Sequence, residues 1–169
     1  MYLCETLKSS GKKKMRLVLS TMVILANFHF LKAALPTPED SLLLVAKNPE
    51  AKASSIYQID FEMSKAISPR ASIHVKLPEA FDLSSLLVVG SNTINGGFEM
   101  MIKDRTITLK RSGLGREIKP NEKVDVKFAI IKNPTNPGDN YLIEIEVFDD
   151  SNKSIIHKHE SLKILPIKE

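Results

Sequence analysis

In the octet Ile56-Tyr57-Gln58-Ile59-Asp60-Phe61-Glu62-Met63, apolar and polar side chains alternate from Tyr57 onward. In an extended chain Tyr57, Ile59, Phe61 and Met63 share one face, and Gln58, Asp60 and Glu62 share the other. A helix would scatter both sets around its circumference, so the period of two marks a strand with one buried side.

The same period returns four times. Residues 72–77 set Ile73, Val75 and Leu77 against His74 and Lys76, and residues 105–110 set Ile107 and Leu109 against Thr106, Thr108 and Lys110. Residues 123–130 set Val124, Val126, Phe128 and Ile130 against Asp125 and Lys127. Residues 141–147 set Tyr141, Ile143, Ile145 and Val147 against Glu144 and Glu146. Less regular strands are expected over 41–46, 86–89, 98–102 and 155–164. Asn48-Pro49, Ser68-Pro69, Asn95-Gly96-Gly97, Lys119-Pro120-Asn121, residues 133–140 and Asp149-Asp150-Ser151-Asn152 favour chain reversal between them. Eight or nine short strands, each wet on one face, predict an all-β antiparallel sandwich, with a closed barrel as the alternative.

The chain ahead of this pattern is different in kind. Gly11-Lys12-Lys13-Lys14-Met15-Arg16 precedes an apolar run over 17–31, followed by Ala33-Ala34 and by Pro36 and Pro38. A charged n-region (1–16), an apolar h-region (17–31) and a small-residue cleavage zone make residues 1–34 a secretory signal peptide with a signal helix. Fifteen apolar-run residues containing Asn27 and His29 are short of the roughly twenty that a membrane span needs. An uncleaved anchor is the competing reading. Translation could begin at Met1 or at Met15 with the same mature product. Residues 35–40 read as an extended linker, and 41–169 as one β-domain.

Removing the leader changes the charge. The chain has 24 basic and 20 acidic residues, and residues 1–34 hold six of the former and one of the latter. The remainder, with 18 and 19, has a net charge of −1 and lacks the basic face that nucleic acid would require. Lys110-Arg111 and Arg116 are expected in a solvated loop. Cys4, the only cysteine, lies in the leader, so neither a disulfide nor a cysteine-ligated metal is expected in the domain.

Several stretches, taken in order, carry a resemblance: Lys47-Asn48-Pro49-Glu50-Ala51, Ile56 to Phe61, Ala71-Ser72-Ile73-His74-Val75-Lys76-Leu77-Pro78 with Phe81-Asp82, Ile118 to Val124, Ile130-Ile131-Lys132-Asn133-Pro134, and Pro137-Gly138 with Tyr141. They resemble the immunoglobulin-like β-sandwich modules of prokaryotic and protist cell-surface and secreted proteins. The resemblance spans about residues 41–165 and implies a fold and a surface location, with no chemistry attached. Glycines usual in that family's turns are replaced here, for example by Lys103-Asp104-Arg105 and Asn121-Glu122.

Reactive groups are sparse. His157 and His159 would share a strand face and could share a metal, but no third ligand is visible and Lys158 lies between them. Asp149, Asp150 and Asn152 could offer oxygens to calcium, though a turn accounts for them equally, and no cofactor is expected. Asn152-Lys153-Ser154 is a usable glycosylation sequon. Glu144 and Glu146 fall on the wet face, where carboxylates keep ordinary pKa values. Gly113-Leu114-Gly115 lacks the spacing of a phosphate loop, and no nucleophile elbow is present, so the chain is not expected to be an enzyme. Leu142 and Phe148 fall opposite the core set and form a candidate contact patch. The expectation is an exported, non-catalytic module with a structural, adhesive or protein-interaction role, engaging protein or a cell-envelope component and carrying no membrane span once processed. A secreted domain binding lipid or carbohydrate is the alternative.

Overall fold

The computed structural model describes residues 40–168. The expected signal helix, its cleavage zone and residues 35–39 of the linker lie outside the described residues, as does Glu169. Nine strands run in order: β1 (Ser41–Ala46), β2 (Ser54–Glu62), β3 (Ser72–Lys76), β4 (Val88–Gly90), β5 (Phe98–Lys103), β6 (Thr106–Arg111), β7 (Val124–Lys132), β8 (Gly138–Phe148) and β9 (Ser154–Ile164). They form a four-stranded sheet, β1-β2-β7-β4, and a five-stranded sheet, β5-β6-β3-β8-β9. All pairings between these strands are antiparallel. The two sheets form an antiparallel sandwich, and the alternative of a single closed barrel is set aside.

The period-two pattern supplies the core. Tyr57, Ile59 and Phe61 pair across to Phe128, Val126 and Val124, and all six are buried. Against them stand Ile73 and Val75, Ile107 and Leu109, Ile143, Ile145 and Val147 from the other sheet, also buried. Phe81 stands edge-on to both Tyr57 and Tyr141, with ring centres 6.2 Å and 5.4 Å away.

The alternation fails at one point. Ile130 was expected inside with Phe128, but it is 45% exposed and Ile131 is fully buried. Between the pairs Ser55↔Ile131 and Tyr57↔Phe128, β2 has one residue and β7 has two. This bulge moves every later side chain of β7 to the other face.

The turns work without the missing glycines. Asp104 and Arg105 both adopt positive φ, 48° and 68°, in a two-residue hairpin closed by Lys103↔Thr106. The Arg105 guanidinium compensates by donating to the Pro78 carbonyl at 2.7 Å and to that of Phe81. Glycine is required elsewhere: a Cβ on Gly115 would lie 2.1 Å from the Asn95 carbonyl oxygen.

Arg111 also departs from expectation. It sits at the end of β6 rather than in a solvated loop, and is 4% exposed. It donates from Nη1 to Ser68 O at 2.8 Å and from Nη2 to Arg116 O at 2.6 Å, closing one end of the sandwich. Arg116 forms a forked pair with Glu122, with Nη1 2.8 Å from Oε2. That pairing and a backbone amide hold the Glu122 carboxyl down at about 2. The three basic residues therefore do not act as one basic patch.

Candidate functional site

The outer face of the four-stranded sheet carries a cleft of about 660 Å³, bounded by the start of β1, the end of β2, the start of β7 and the loop at Asn92 and Thr93. Asp125 builds its wall. The alternation places this residue on the polar side of β7, yet it is only 7% exposed because residues 91–94 fold over it. Its Oδ1 accepts from the amides of Asn92 and Thr93, each at 3.1 Å, and from the Thr93 hydroxyl at 2.7 Å. The Thr93 hydroxyl oxygen in turn accepts from the Asp125 amide at 2.8 Å. Lys127 Nζ lies 3.1 Å from Oδ2. Burial opposes the charge on Asp125, but these donors outweigh it and hold the carboxyl below its ordinary range.

Asp60 stands directly opposite Asp125 in register and takes a hydrogen bond from Gln58 at 2.6 Å. An acid for proton transfer needs one carboxyl of such a pair to be raised. Asp125 is lowered instead, so its carboxylate offers the cleft fixed charge and polar contacts.

The opposite end of the same face is apolar. Val88 (63% exposed) and Leu87 (81%) lie beside the β7 bulge, where Ile130 and Ile56 are each 45% exposed. Sequence reading missed this patch: Ile56 is a lone apolar residue on the polar side of β2, Ile130 is turned outward by the bulge, Val88 opens an edge strand too short for periodicity to show, and Leu87 precedes that strand.

On the five-stranded sheet the register assembles two rows. His74, Glu146 and His157 form one across β3, β8 and β9, and Lys76, Glu144 and His159 form the next. His157 Nε2 and Glu144 Oε1 are 2.9 Å apart, and Lys76 Nζ is 3.7 Å from Glu144 Oε2. The hydrogen bond from His157 outweighs the opposing effect of burial and, helped by the charge of Lys76, holds the Glu144 carboxyl below its usual value.

The candidate contact residues do not merge into one patch. Leu142 is 57% exposed near Lys76 and His159. Phe148 is half-buried and packs on the His74 ring, centre to centre 4.6 Å. Six residues, about 20 Å of strand, separate the two, with Glu144 and Glu146 on the same face between them.

Asp149, Asp150 and Asn152 lie in the turn between β8 and β9. Asp149 Oδ1 is taken up by the Ser151 amide and hydroxyl, at 2.8 Å and 2.7 Å, and by the Lys153 amide at 2.9 Å. Asn152 has a φ of 60° and is exposed, as are Lys153 and Ser154 of the sequon.

No family model matches the chain, and no curated protein matches it in sequence. Solved structures do. A cohesin module of a family 33 glycoside hydrolase from Clostridium perfringens superposes with a TM-score of 0.51 at 14% identity, over 76% of this chain and 98% of the module. The major pilin SpaD from Corynebacterium diphtheriae superposes with a TM-score of 0.50 at 12% identity, over 72% of this chain. The match spans a third of that pilin's length. At such identities the likeness concerns fold alone: the chain is built as an immunoglobulin-like sandwich of the kind found in those two proteins.

Proposed function

We propose that the chain is an exported, non-catalytic immunoglobulin-like module that serves at the cell surface in a structural, adhesive or protein-interaction role. The observation that carries this reading is the apolar group Ile56, Val88 and Ile130 on the outer face of the four-stranded sheet, with the exposed Leu87 at the mouth of its edge strand. Exposed apolar residues gathered on one face favour contact with protein or envelope material over a free surface. The leader supports export, and a major pilin and a cohesin module built on the same fold support a structural or adhesive use.

The test uses labelled protein and envelope preparations from the cells that produce it. The wild type is retained, and the triple variant Leu87→Ser, Val88→Ser, Ile130→Ser loses retention by at least about tenfold while its circular dichroism is unchanged. Failure of the wild type to bind, or equal binding by the variant, overturns the assignment. Intact mass of the exported product tests the leader separately, with cleavage expected after Ala33 or Ala34.

The adjoining cleft favours one second reading, a secreted domain for a small polar ligand such as a carbohydrate. A rise in melting temperature with a saccharide, abolished in Asp60→Ala, would select that reading.

A further inference from the structure

We infer that His157 and His159 on edge strand β9, together with Glu144 on β8, form a binding site for a divalent transition-metal ion of the zinc class. Read alone, the two histidines lack a third ligand. Strand register provides it: Glu144 is the direct cross-strand partner of His159 and is hydrogen-bonded to His157, so its carboxylate touches one imidazole and stands on the strand position facing the other.

The spacing suits a shared ion. The two imidazole centres are 5.0 Å apart, with their planes at 52°. Two histidines on one tetrahedral zinc, with Zn–N near 2.1 Å, place their ring centres about 5 Å apart. The Glu144–His157 contact of 2.9 Å must open to about 3.3 Å for the two atoms to flank the metal. Among the described residues no three such side chains already converge on one point. Both histidines are exposed, however, so side-chain rotation can bring them together without moving the backbone.

Donor chemistry selects the ion. Two imidazoles and one carboxylate suit zinc, copper(II) or nickel, whereas calcium and magnesium demand a shell of oxygens. Water completes the coordination, since three protein donors leave at least one position open. Lys76, 3.7 Å from the carboxylate, opposes the incoming charge, and its side chain is exposed enough to swing aside. Zinc here would clamp the outermost strand β9 to β8 at their middle.

The experiment is calorimetric titration of the full chain, purified without a histidine tag, with zinc chloride at pH 7.5. The double variant His157→Ala, His159→Ala serves as the baseline and removes any contribution from Cys4 and His29. One zinc is expected above that baseline. Glu144→Gln should weaken it about tenfold, and Lys76→Ala should tighten it about threefold because a repelling charge is lost. His74→Ala on the same face should leave it unchanged. A thousandfold excess of magnesium should not displace the ion. Identical isotherms for the wild type and the double variant overturn the site, and so does displacement by magnesium.

Discussion

Tyr57 and Asn133, 76 residues apart in the chain, meet in the buried end of the sandwich, where the phenol Oη donates to Asn133 Oδ1 at 2.5 Å. The Asn133 amide then donates to the carbonyls of Asn48 and Glu50 at 2.8 Å and 2.7 Å. One side chain thereby ties β2, β7 and the turn after β1. Tyr57 is fully buried, and burial raises its pKa, so the phenol remains a donor throughout the accessible range. Tyr57→Phe should lower unfolding free energy by about 1–3 kcal/mol, because the Asn133 oxygen is left without a partner. Asn133→Asp should cost more, since a carboxylate cannot donate to either carbonyl and brings a buried charge. Urea unfolding of both variants checks this, and equal midpoints for wild type and Tyr57→Phe would refute it.

Arg111 performs the corresponding task at another end. Its guanidinium satisfies the carbonyls of Ser68 and Arg116, with a longer contact to Ile67 O at 3.3 Å, from a position that is almost wholly buried. Burial lowers its pKa, and the charge of Arg116 lowers it further. Arg111→Met should destabilise by about 2–4 kcal/mol, because each bereft carbonyl loses its donor. Arg111→Lys should recover only part of that, since one ammonium cannot reproduce the spread of a guanidinium. Thermal melts of the two variants measure the difference, and a lysine variant as stable as wild type would exclude the forked role.

Asp125 should control a segment rather than the whole fold. Its carboxylate is the common acceptor for the amides of Asn92 and Thr93, so Asp125→Ala should free residues 91–94 before the sheets part. Limited proteolysis should then cut in that loop, and amide exchange there should quicken at least tenfold while β2 and β7 stay protected. Uniform acceleration over the whole domain would instead make Asp125 a global determinant.

Strands were legible because each buries one face, and that requirement writes a period of two into any stretch such as Tyr57 to Met63. The slip at Ile130 was not legible, because a bulge is a property of β7 and β2 together and leaves each strand's own pattern intact. Asp125, Arg111 and Asn133 share a different obstacle. Alternation tells which side of a sheet a polar residue faces, but its burial is decided by a loop that covers it from far along the chain. Register hid the histidine face in the same way: His74 and His157 stand either side of Glu146 only once β3, β8 and β9 are aligned.

That alignment makes His74 a source of acid sensitivity above the range of the carboxylates. Packing against Phe148 desolvates the ring and lowers its pKa from 6.5, while the charge of Glu146 pulls weakly the other way. On the same face lie Lys76, two residues along β3, Glu144 opposite Lys76 on β8, and Lys110 opposite Ser72 on β6. As pH falls through 6.5 the unfolded chain takes up the proton first, so the unfolded state binds more protons and stability declines. The contribution is complete above about pH 7 and is lost progressively between 6.5 and the lower folded value, after which it changes no further. The carboxyls with shifted values, Asp125 and Glu144 among them, are all lowered and titrate below this window. Urea unfolding at pH 7.5, 6.5 and 5.5 should show the wild type losing stability relative to His74→Gln as the solution is acidified. A difference between the two proteins that stays constant over that range would mean that the ring titrates freely in the fold and that its packing against Phe148 does not shield it.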